Sequence, residues 1–257
     1  MAHSPERIAA DLSALGIAAG DTLMVHASLS ALGFVEGGAA AVVEALVAAV
    51  GADDPESGTL VMPGFAESLC VPGRHRTLPT PLHEEARRLS PWRPRSEIET
   101  NAGAIAETFR RRPGTRRSPH PTDAYLALGA RADAICGAHP LPFATGPDSP
   151  AGRLYELDAK QLLLGVGFNR LTQLHNAESR LPHGRRKTRI LPLEGRTVLL
   201  EDTGDDLDVH FPEIGRLYVA AGHTRRGMVG DAQAVVVRSR AVDDFAHAYL
   251  AKALIPG

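Results

Sequence analysis

Thr172, His175 and Glu178 form the pattern in this chain that is best suited to acid–base chemistry. Each is three residues from the next, so on a helix all of them share one face. A carboxylate beside a histidine orients the ring and stabilises the imidazolium, as a general base requires. The same spacing also occurs in plain surface ion pairs, and the spacing alone leaves this alternative open.

A metal site built on this pair needs at least one further ligand. His120, His139 and His183 are the histidines that could supply it. The chain contains neither C-x-x-C nor H-E-x-x-H, the spacings typical of zinc sites. We therefore expect no bound metal, and a metal-dependent hydrolase is kept only as the alternative from another class.

A second candidate site is the loop that follows the first predicted strand, residues 22–26. It comprises His26, Ala27, Ser28, Leu29, Ser30 and Gly33 with the residues between them. Open α/β sheets bind ligands at the carboxyl ends of their strands, and a serine at a turn can leave backbone N–H groups facing an anion. The glycine-rich fingerprints of dinucleotide-binding and P-loop proteins are absent. An ordinary strand-to-helix connection, with His26 as a hydrogen-bonded core residue, is the alternative.

Two further segments carry residues that suit ligand binding. Arg117 and Ser118 lie in a stretch stiffened by prolines, where arginine beside serine suits a phosphate, although a solvated basic loop has the same composition. Asp148 and Ser149 lie in a turn before a short predicted helix, and either could cap it. Neither cysteine, Cys70 or Cys136, has a recognisable nucleophile context.

The elements that position these residues alternate between strand and helix, which predicts an α/β protein with parallel portions and antiparallel strands late in the chain. Residues 64–95 are rich in proline and follow no regular period. Apolar runs predict strands at 22–26, 59–63, 125–128, 161–166, 197–201 and 234–238. Helical spacing predicts helices after Ser4 and at 39–50, 101–112, 130–138, 151–156, 171–180 and 243–254.

Composition limits the classes of protein to which the chain can belong. Its 257 residues, predicted to form a single domain over residues 1–257, carry a net charge of −2. Lysine occurs only at Lys160, Lys187 and Lys252, so 25 of the 28 basic residues are arginine. A balanced charge and a pI of about 6.6 argue against nucleic-acid binding. No apolar run is long enough to span a membrane, no signal peptide is recognisable, and two cysteines fit a reducing cytoplasm.

Six stretches of the sequence, read together, resemble the aminoglycoside 3-N-acetyltransferases, the antibiotic N-acetyltransferases that do not have the GNAT fold. They are GDTLMVHASLSALGFVEGG, GTLVMPGF, GAIAETFRRRPGTRRSPHP, ATGPDSPAGRL, LLLGVGFNRLTQLHNAE and HFPEIG. They occur in the order of the family and cover nearly the whole chain. The resemblance implies the antibiotic N-acetyltransferase fold, a mixed central sheet flanked by helices.

The resemblance also implies a reaction and roles for residues. Acetyl-CoA is the expected co-substrate and a cationic aminoglycoside the expected acceptor, acetylated on the 3-amino group of the 2-deoxystreptamine ring. Direct transfer is expected because neither cysteine has the context of an acyl-accepting nucleophile. His175 is the implied catalytic base, with Glu178 and Thr172 beside it. The loop from His26 to Gly33, together with Arg117 and Ser118, is implied to hold the cofactor. For the cationic substrate we name the acidic residues Glu67, Asp148 and Glu178.

The sequence departs from the family in two regions that are plausible acceptor contacts. Glu97 and Glu99 stand where relatives carry an Asp-Pro and Thr-Pro pattern, and residues 64–91 follow no family pattern. Transfer to another amine of an aminoglycoside, or to a different antibiotic or biosynthetic amine, is therefore the nearest alternative. The protein is expected to be a monomer or a homodimer.

Overall fold

The computed structural model describes residues 2–66, 71–73, 102–182, 186–193, 196–203 and 209–254. The helices of these parts are α1 (Pro5–Ala14), α2 (Gly38–Val50), α3 (Gly103–Arg111), α4 (Ala132–Cys136), α5 (Pro150–Glu156), α6 (Gln173–Ser179), α7 (Phe211–Ala220) and α8 (Ser239–Leu254). The strands are β1 (Thr22–Ala27), β2 (Thr59–Phe65), β3 (Val71–Gly73), β4 (Arg116–Arg117), β5 (Asp123–Gly129), β6 (Lys160–Leu164), β7 (Arg186–Leu193), β8 (Arg196–Thr203), β9 (Arg225–Val229) and β10 (Ala232–Arg238). Two short 3₁₀ helices span Leu29–Leu32 and Phe168–Arg170.

The central sheet has seven strands in the order β4-β5-β2-β1-β6-β10-β9. Its middle strands β2, β1 and β6 are parallel, and the outer strands run antiparallel to their neighbours. A separate antiparallel sheet has the order β3-β7-β8. The predicted mixed sheet is confirmed, but antiparallel pairing also occurs early in the chain, between β2 and β5.

Alternation along the central strands divides the core between the two faces of the sheet. Leu23 and Val25 of β1 join the cluster that packs under α1, α2 and α3, whereas Met24 joins a cluster with residues of α4 and α5. On that second face, residues of α6, α7 and α8 form a further cluster around Leu163 of β6. Apolar burial of this extent is the main stabilising contribution to the fold.

The carboxyl ends of the parallel strands meet at one edge of the sheet. There β1 ends at Ala27, β6 ends at Leu164, with which Ala27 pairs, and β2 ends at Phe65, which pairs with Asp123 at the start of β5. Helix α6 begins a few residues after β6, once the 3₁₀ turn Phe168–Arg170 has left the sheet. This edge therefore brings together segments that are far apart in sequence.

Most predicted elements are present, with shifted boundaries. Ser4 accepts a hydrogen bond from the Arg7 backbone N–H at 3.3 Å and so caps α1 as expected. Helix α8 begins at Ser239, four residues before its predicted start. The sequence analysis missed β3, β4, β7, β9 and α7. None of the helices in the described ranges is both long and apolar enough to cross a bilayer.

Candidate active site

Helix α6 carries the histidine–glutamate pair predicted from the sequence. His175 Nδ1 lies 3.0 Å from Glu178 Oε2. The Glu178 side chain is completely buried, whereas 28% of the His175 side chain is exposed. Thr172 precedes the helix as its N-cap residue, and its carbonyl accepts the His175 backbone N–H at 3.0 Å. A buried carboxylate thus holds one nitrogen of an imidazole that reaches the surface.

A second contact fixes the ring of His175. Phe211, the first residue of α7, packs edge-on against it with ring centroids 4.8 Å apart at 62°. Phe211 is itself only 1% exposed, so its ring is held by the core and limits the orientations open to the His175 ring. The sequence analysis recorded this residue only as part of the HFPEIG stretch and gave it no role. Nothing in its local sequence shows that α7 packs beside α6.

His26 lies at the carboxyl end of β1 and is 4% exposed. Burial, assisted by the nearby positive charge of Arg170, lowers the pKa of His26 to about 3. The ring is therefore neutral across the physiological range. Its Nε2 has no hydrogen-bond partner among the described residues, which is uncommon for a buried polar atom. A bound ligand at this strand end would satisfy it.

The loop after β1 is more ordered than the sequence indicates. Residues Leu29–Leu32 form a 3₁₀ helix, and the Ser28 and Ser30 hydroxyls lie 3.1 Å apart. Ser28 is the N-cap residue of this 3₁₀ helix, but its hydroxyl makes no capping hydrogen bond. Gly33 has φ 77°, and a Cβ there would lie 2.1 Å from Asp231 Oδ2, so only glycine fits.

A buried acidic group lies near the same edge of the sheet. Asp123 and Asp202 are each 5% exposed, and both sit close to Tyr125. Burial above all, and then these two negative charges, raise the pKa of Tyr125. The Tyr125 hydroxyl has no hydrogen-bond partner in the parts of the chain that are described. Asp123 and Tyr125 were not singled out from the sequence, because their meeting with β8 is a tertiary contact.

A family model described as aminoglycoside 3-N-acetyltransferase matches residues 24–251. The chain belongs to the aminoglycoside 3-N-acetyltransferase family. The family and the enzyme class predicted from the sequence are therefore confirmed, and so is the fold. Aminoglycoside N(3)-acetyltransferase VII of Streptomyces paromomycinus is 37% identical over 96% of this chain and 91% of its own length.

Two solved structures of this family resemble the chain over nearly its whole length. AAC-IIIb in a binary complex with CoASH has a TM-score of 0.87 and 30% identity, covering 100% of both chains. AAC-VIa bound to sisomicin has a TM-score of 0.86 and 28% identity, covering 98% of this chain and 99% of its own.

Arg117 and Ser118, the family's expected cofactor segment, lie in very different environments. Burial, and then the charge of Arg110, lowers the pKa of Arg117 to about 10, so its guanidinium stays cationic near neutral pH. Ser118 is completely buried. Its hydroxyl accepts the Tyr125 backbone N–H at 2.8 Å and donates to His139 Nδ1 at 2.8 Å. Ser118 therefore anchors β5, and a cofactor contact at this position stays a prediction.

His120 and His139, named as possible metal ligands, form a buried stacked pair with ring centroids 4.6 Å apart. The Nδ1 of His120 accepts the Asp123 backbone N–H at 2.9 Å, and its Nε2 donates to the Leu141 carbonyl at 3.1 Å. Since His139 is bonded at both nitrogens too, neither ring could ligate a metal without breaking these bonds. Within the described ranges, no three His, Cys, Asp or Glu side chains are grouped to hold a metal ion.

The remaining predicted substrate contacts have separate outcomes. Asp148 is exposed in the turn before α5, and Ser149, not Asp148, caps that helix by accepting the Ala151 N–H at 3.1 Å. A role for Asp148 toward the substrate stays a prediction. Glu67, Glu97, Glu99 and His183 lie outside the described residues.

Proposed function

We propose that this protein transfers the acetyl group of acetyl-CoA to an aminoglycoside, on the 3-amino group of the 2-deoxystreptamine ring. One observation carries the proposal: in a chain of this family, His175 is held through Nδ1 by a buried carboxylate and makes no hydrogen bond through Nε2 within the described residues. That arrangement suits a proton acceptor.

The tautomer of His175 follows from its partner. An ionised Glu178 only accepts hydrogen bonds, so Nδ1 carries the proton and Nε2 carries the lone pair. An aminoglycoside amine is mostly protonated at neutral pH and must lose a proton before it can attack a thioester. Nε2 takes that proton, directly or through a water molecule, and Glu178 stabilises the imidazolium that forms.

The acyl group passes directly from thioester to amine: the new C–N bond replaces the C–S bond, and CoA leaves as a thiolate that is then protonated. Of the two protons that the ammonium group loses, one ends on CoA and the other passes through His175 to solvent. Acetyl-CoA supplies the activated acetyl group, and an acyl-enzyme route would need a reactive thiolate on the protein. Cys136 does not suit that role, because burial raises the pKa of its thiol to about 12. The Thr172 hydroxyl and nearby backbone N–H groups are the donors we assign to the oxyanion that forms on the acetyl carbonyl.

Two groups of residues with opposite charge suit the two substrates. The orphan Nε2 of His26, the Ser28 hydroxyl and the cationic Arg117 provide polar and positive groups for an anionic CoA. Asp123 and Asp202 supply negative charge for a polycationic acceptor. The relatives support the two kinds of ligand and not the individual residues, since AAC-IIIb is in complex with CoASH and AAC-VIa with sisomicin. The free thiol of Cys136 fits a reducing compartment, and we place the reaction in the cytoplasm.

Thiol release from acetyl-CoA, measured across amine acceptors, tests the proposed function. We expect turnover with aminoglycosides that contain 2-deoxystreptamine and little with those that lack it, and NMR of the product to show acetylation at the 3-amino group. Acetylation at another position would correct the regiochemistry and keep the enzyme class. Absence of thiol release with every amine, from folded protein that binds CoA in calorimetry, would refute the proposal.

A further inference from the structure

Helix α6, which carries His175 and Glu178, is only seven residues long. Isolated helices this short are unstable in water, because nucleation costs more than two turns of hydrogen bonds return. The positions of the two catalytic side chains therefore depend on tertiary contacts that hold the helix. The strongest of these contacts converge on one residue of α8.

Asp243 of α8 bonds to both ends of α6. Gln173, the first residue of the helix, donates from Nε2 to Asp243 Oδ2 at 2.8 Å. Arg180, the residue after its last turn, donates from Nη2 to Asp243 Oδ1. One carboxylate, using one oxygen for each end, thus spans the whole helix.

The geometry of the helix separates this anchor from the chemistry. Gln173 and Arg180 are seven residues apart, which returns them to the same face at about 100° per residue. His175 and Glu178 lie on the opposite face by the same count. Asp243 therefore binds one face of α6, and the face that carries His175 and Glu178 is left for the substrates.

Further hydrogen bonds tie the anchor to the sheet and to α5. Gln161 of β6 donates from Nε2 to Gln173 Oε1 at 3.1 Å and to Ser239 Oγ at 2.7 Å. Gln173 also donates to the Ala151 carbonyl of α5 at 3.2 Å. Since the Asp243 side chain is completely buried, these contacts form an interior network and not a solvated ion pair. Buried ion pairs often add little net stability over an apolar replacement, so stability alone does not account for a charged residue at position 243.

We propose that Asp243 is a positioning residue for the acyl transfer, which it serves by fixing both ends of the helix that carries His175 and Glu178. The inference rests on the proposed function, since it assigns the pair to catalysis. Loss of the charge on Asp243 leaves Arg180 to the partly exposed Asp244 and loosens Gln173, and the His175 ring then samples orientations in which Nε2 no longer meets the amine. Misplacement of a reacting group by about 1 Å costs on the order of a hundredfold in rate.

The ionisation of Asp243 gives the proposal a signature that plain stabilisation lacks. Burial raises the pKa of Asp243 to about 6, although Gln173 and Arg180 lower it and Asp244 raises it. Among the described residues, Tyr155 of α5 also faces this cluster and its hydroxyl donates to Asp244, while Arg240 lies over the Tyr155 ring. His247, one turn after Asp243 on α8, bonds to the Ala177 carbonyl of α6. At a pH below this value Asp243 is mostly protonated, so the wild-type protein lacks the same negative charge that the Asp243→Asn variant lacks.

Asp243→Asn, compared with Asp244→Asn, is the test. Asp244 is the next residue of α8, is 53% exposed and also contacts Arg180, so it is a matched control. We expect Asp243→Asn to lower kcat by about tenfold near pH 8, with KM for acetyl-CoA changed by less than about twofold. The kcat ratio of wild type to variant should fall toward one near pH 5, about one unit below the pKa of Asp243. Asp244→Asn should change kcat little at either pH.

Calorimetric melting and CoA binding first show that each variant is folded. The titration of the His175 ring, followed by NMR, then reports its environment without activity and should differ between wild type and Asp243→Asn. A folded Asp243→Asn protein with wild-type kcat and an unchanged His175 titration would overturn the inference, as would a kcat ratio that does not vary with pH. If wild type itself releases no thiol, the proposed function fails, and the His175 titration still decides whether Asp243 positions the ring.

Discussion

His175 and His139 were both named from the sequence as residues that could do chemistry, but their ring nitrogens have different hydrogen bonds in the structure. His175 has one nitrogen held by a buried carboxylate and part of its ring exposed. His139 is buried, and its two nitrogens bond to the Ser118 hydroxyl and to the Ala144 carbonyl at 2.8 and 2.7 Å. Burial, and then the neighbouring His120, lowers the pKa of His139 to about 3. A histidine becomes a base where its second nitrogen is left unbonded at a surface, and a structural element where both nitrogens are bonded inside.

Removal of the reactive imidazole is the most direct way to break this comparison. We expect His175→Ala to lower kcat by about 10² to 10⁴, the usual contribution of a general base. Thermal melting is measured alongside, because the change also removes the partner of the buried Glu178 carboxylate. His223→Asn, at an exposed position, is the control. Near wild-type kcat for His175→Ala with a good acceptor would show that the base is assigned to the wrong residue.

The carboxylate behind the base should matter almost as much. Glu178→Gln keeps the size of the side chain but removes the charge that stabilises the imidazolium, so kcat should fall by about a hundredfold. KM for CoA should change far less, because Glu178 is buried behind the ring. Steady-state kinetics with each substrate varied measure both quantities. A variant that mainly raises KM would place Glu178 in ground-state binding instead.

The ionisation of the two buried histidines should be measurable in the pH dependence of protein stability. His26 and His139 each have a folded pKa of about 3, below the value of about 6.5 in the unfolded chain. The unfolded state therefore binds protons first as the pH falls below about 6.5, and each histidine lowers the free energy of unfolding by about 1.4 kcal/mol per pH unit down to about pH 3. Urea denaturation across this range measures the slope. His139→Gln removes one ionisation and should flatten it, and an unchanged slope would contradict the assignment.

The smallest expected effect belongs to the aromatic wall of His175. Phe211→Leu keeps an apolar side chain but loses the edge-on ring contact, which is worth about 0.5–1.5 kcal/mol in such pairs. We expect kcat to fall by about threefold to tenfold. Tyr218→Phe is the matched control, because Tyr218 belongs to the same core cluster and its ring packs against Phe168, His223 and Phe245. Equal effects of both changes would mean that Phe211 acts only through core packing.

Elements with strong local patterns were predictable, and the missed elements lack such patterns. The apolar runs of β1 and β6 and the cap of α1 need no tertiary information. Strand β9 is exposed over all but its last residue and begins with two arginines, so it shows no apolar alternation. Strand β4 is two residues long, and its pairing with β5 defines it as a strand.

The sequence by itself determined the histidine–glutamate pair, because three residues along a helix are neighbours whatever surrounds them. It also determined the strand ends at which the loops of the candidate site begin. Only the tertiary structure decided that Phe211 packs against the His175 ring and that Ser118 anchors β5. It likewise decided that Asp123, Asp202 and Tyr125 share one buried edge. These contacts join residues far apart in the chain, and no local periodicity encodes which helix packs beside which strand.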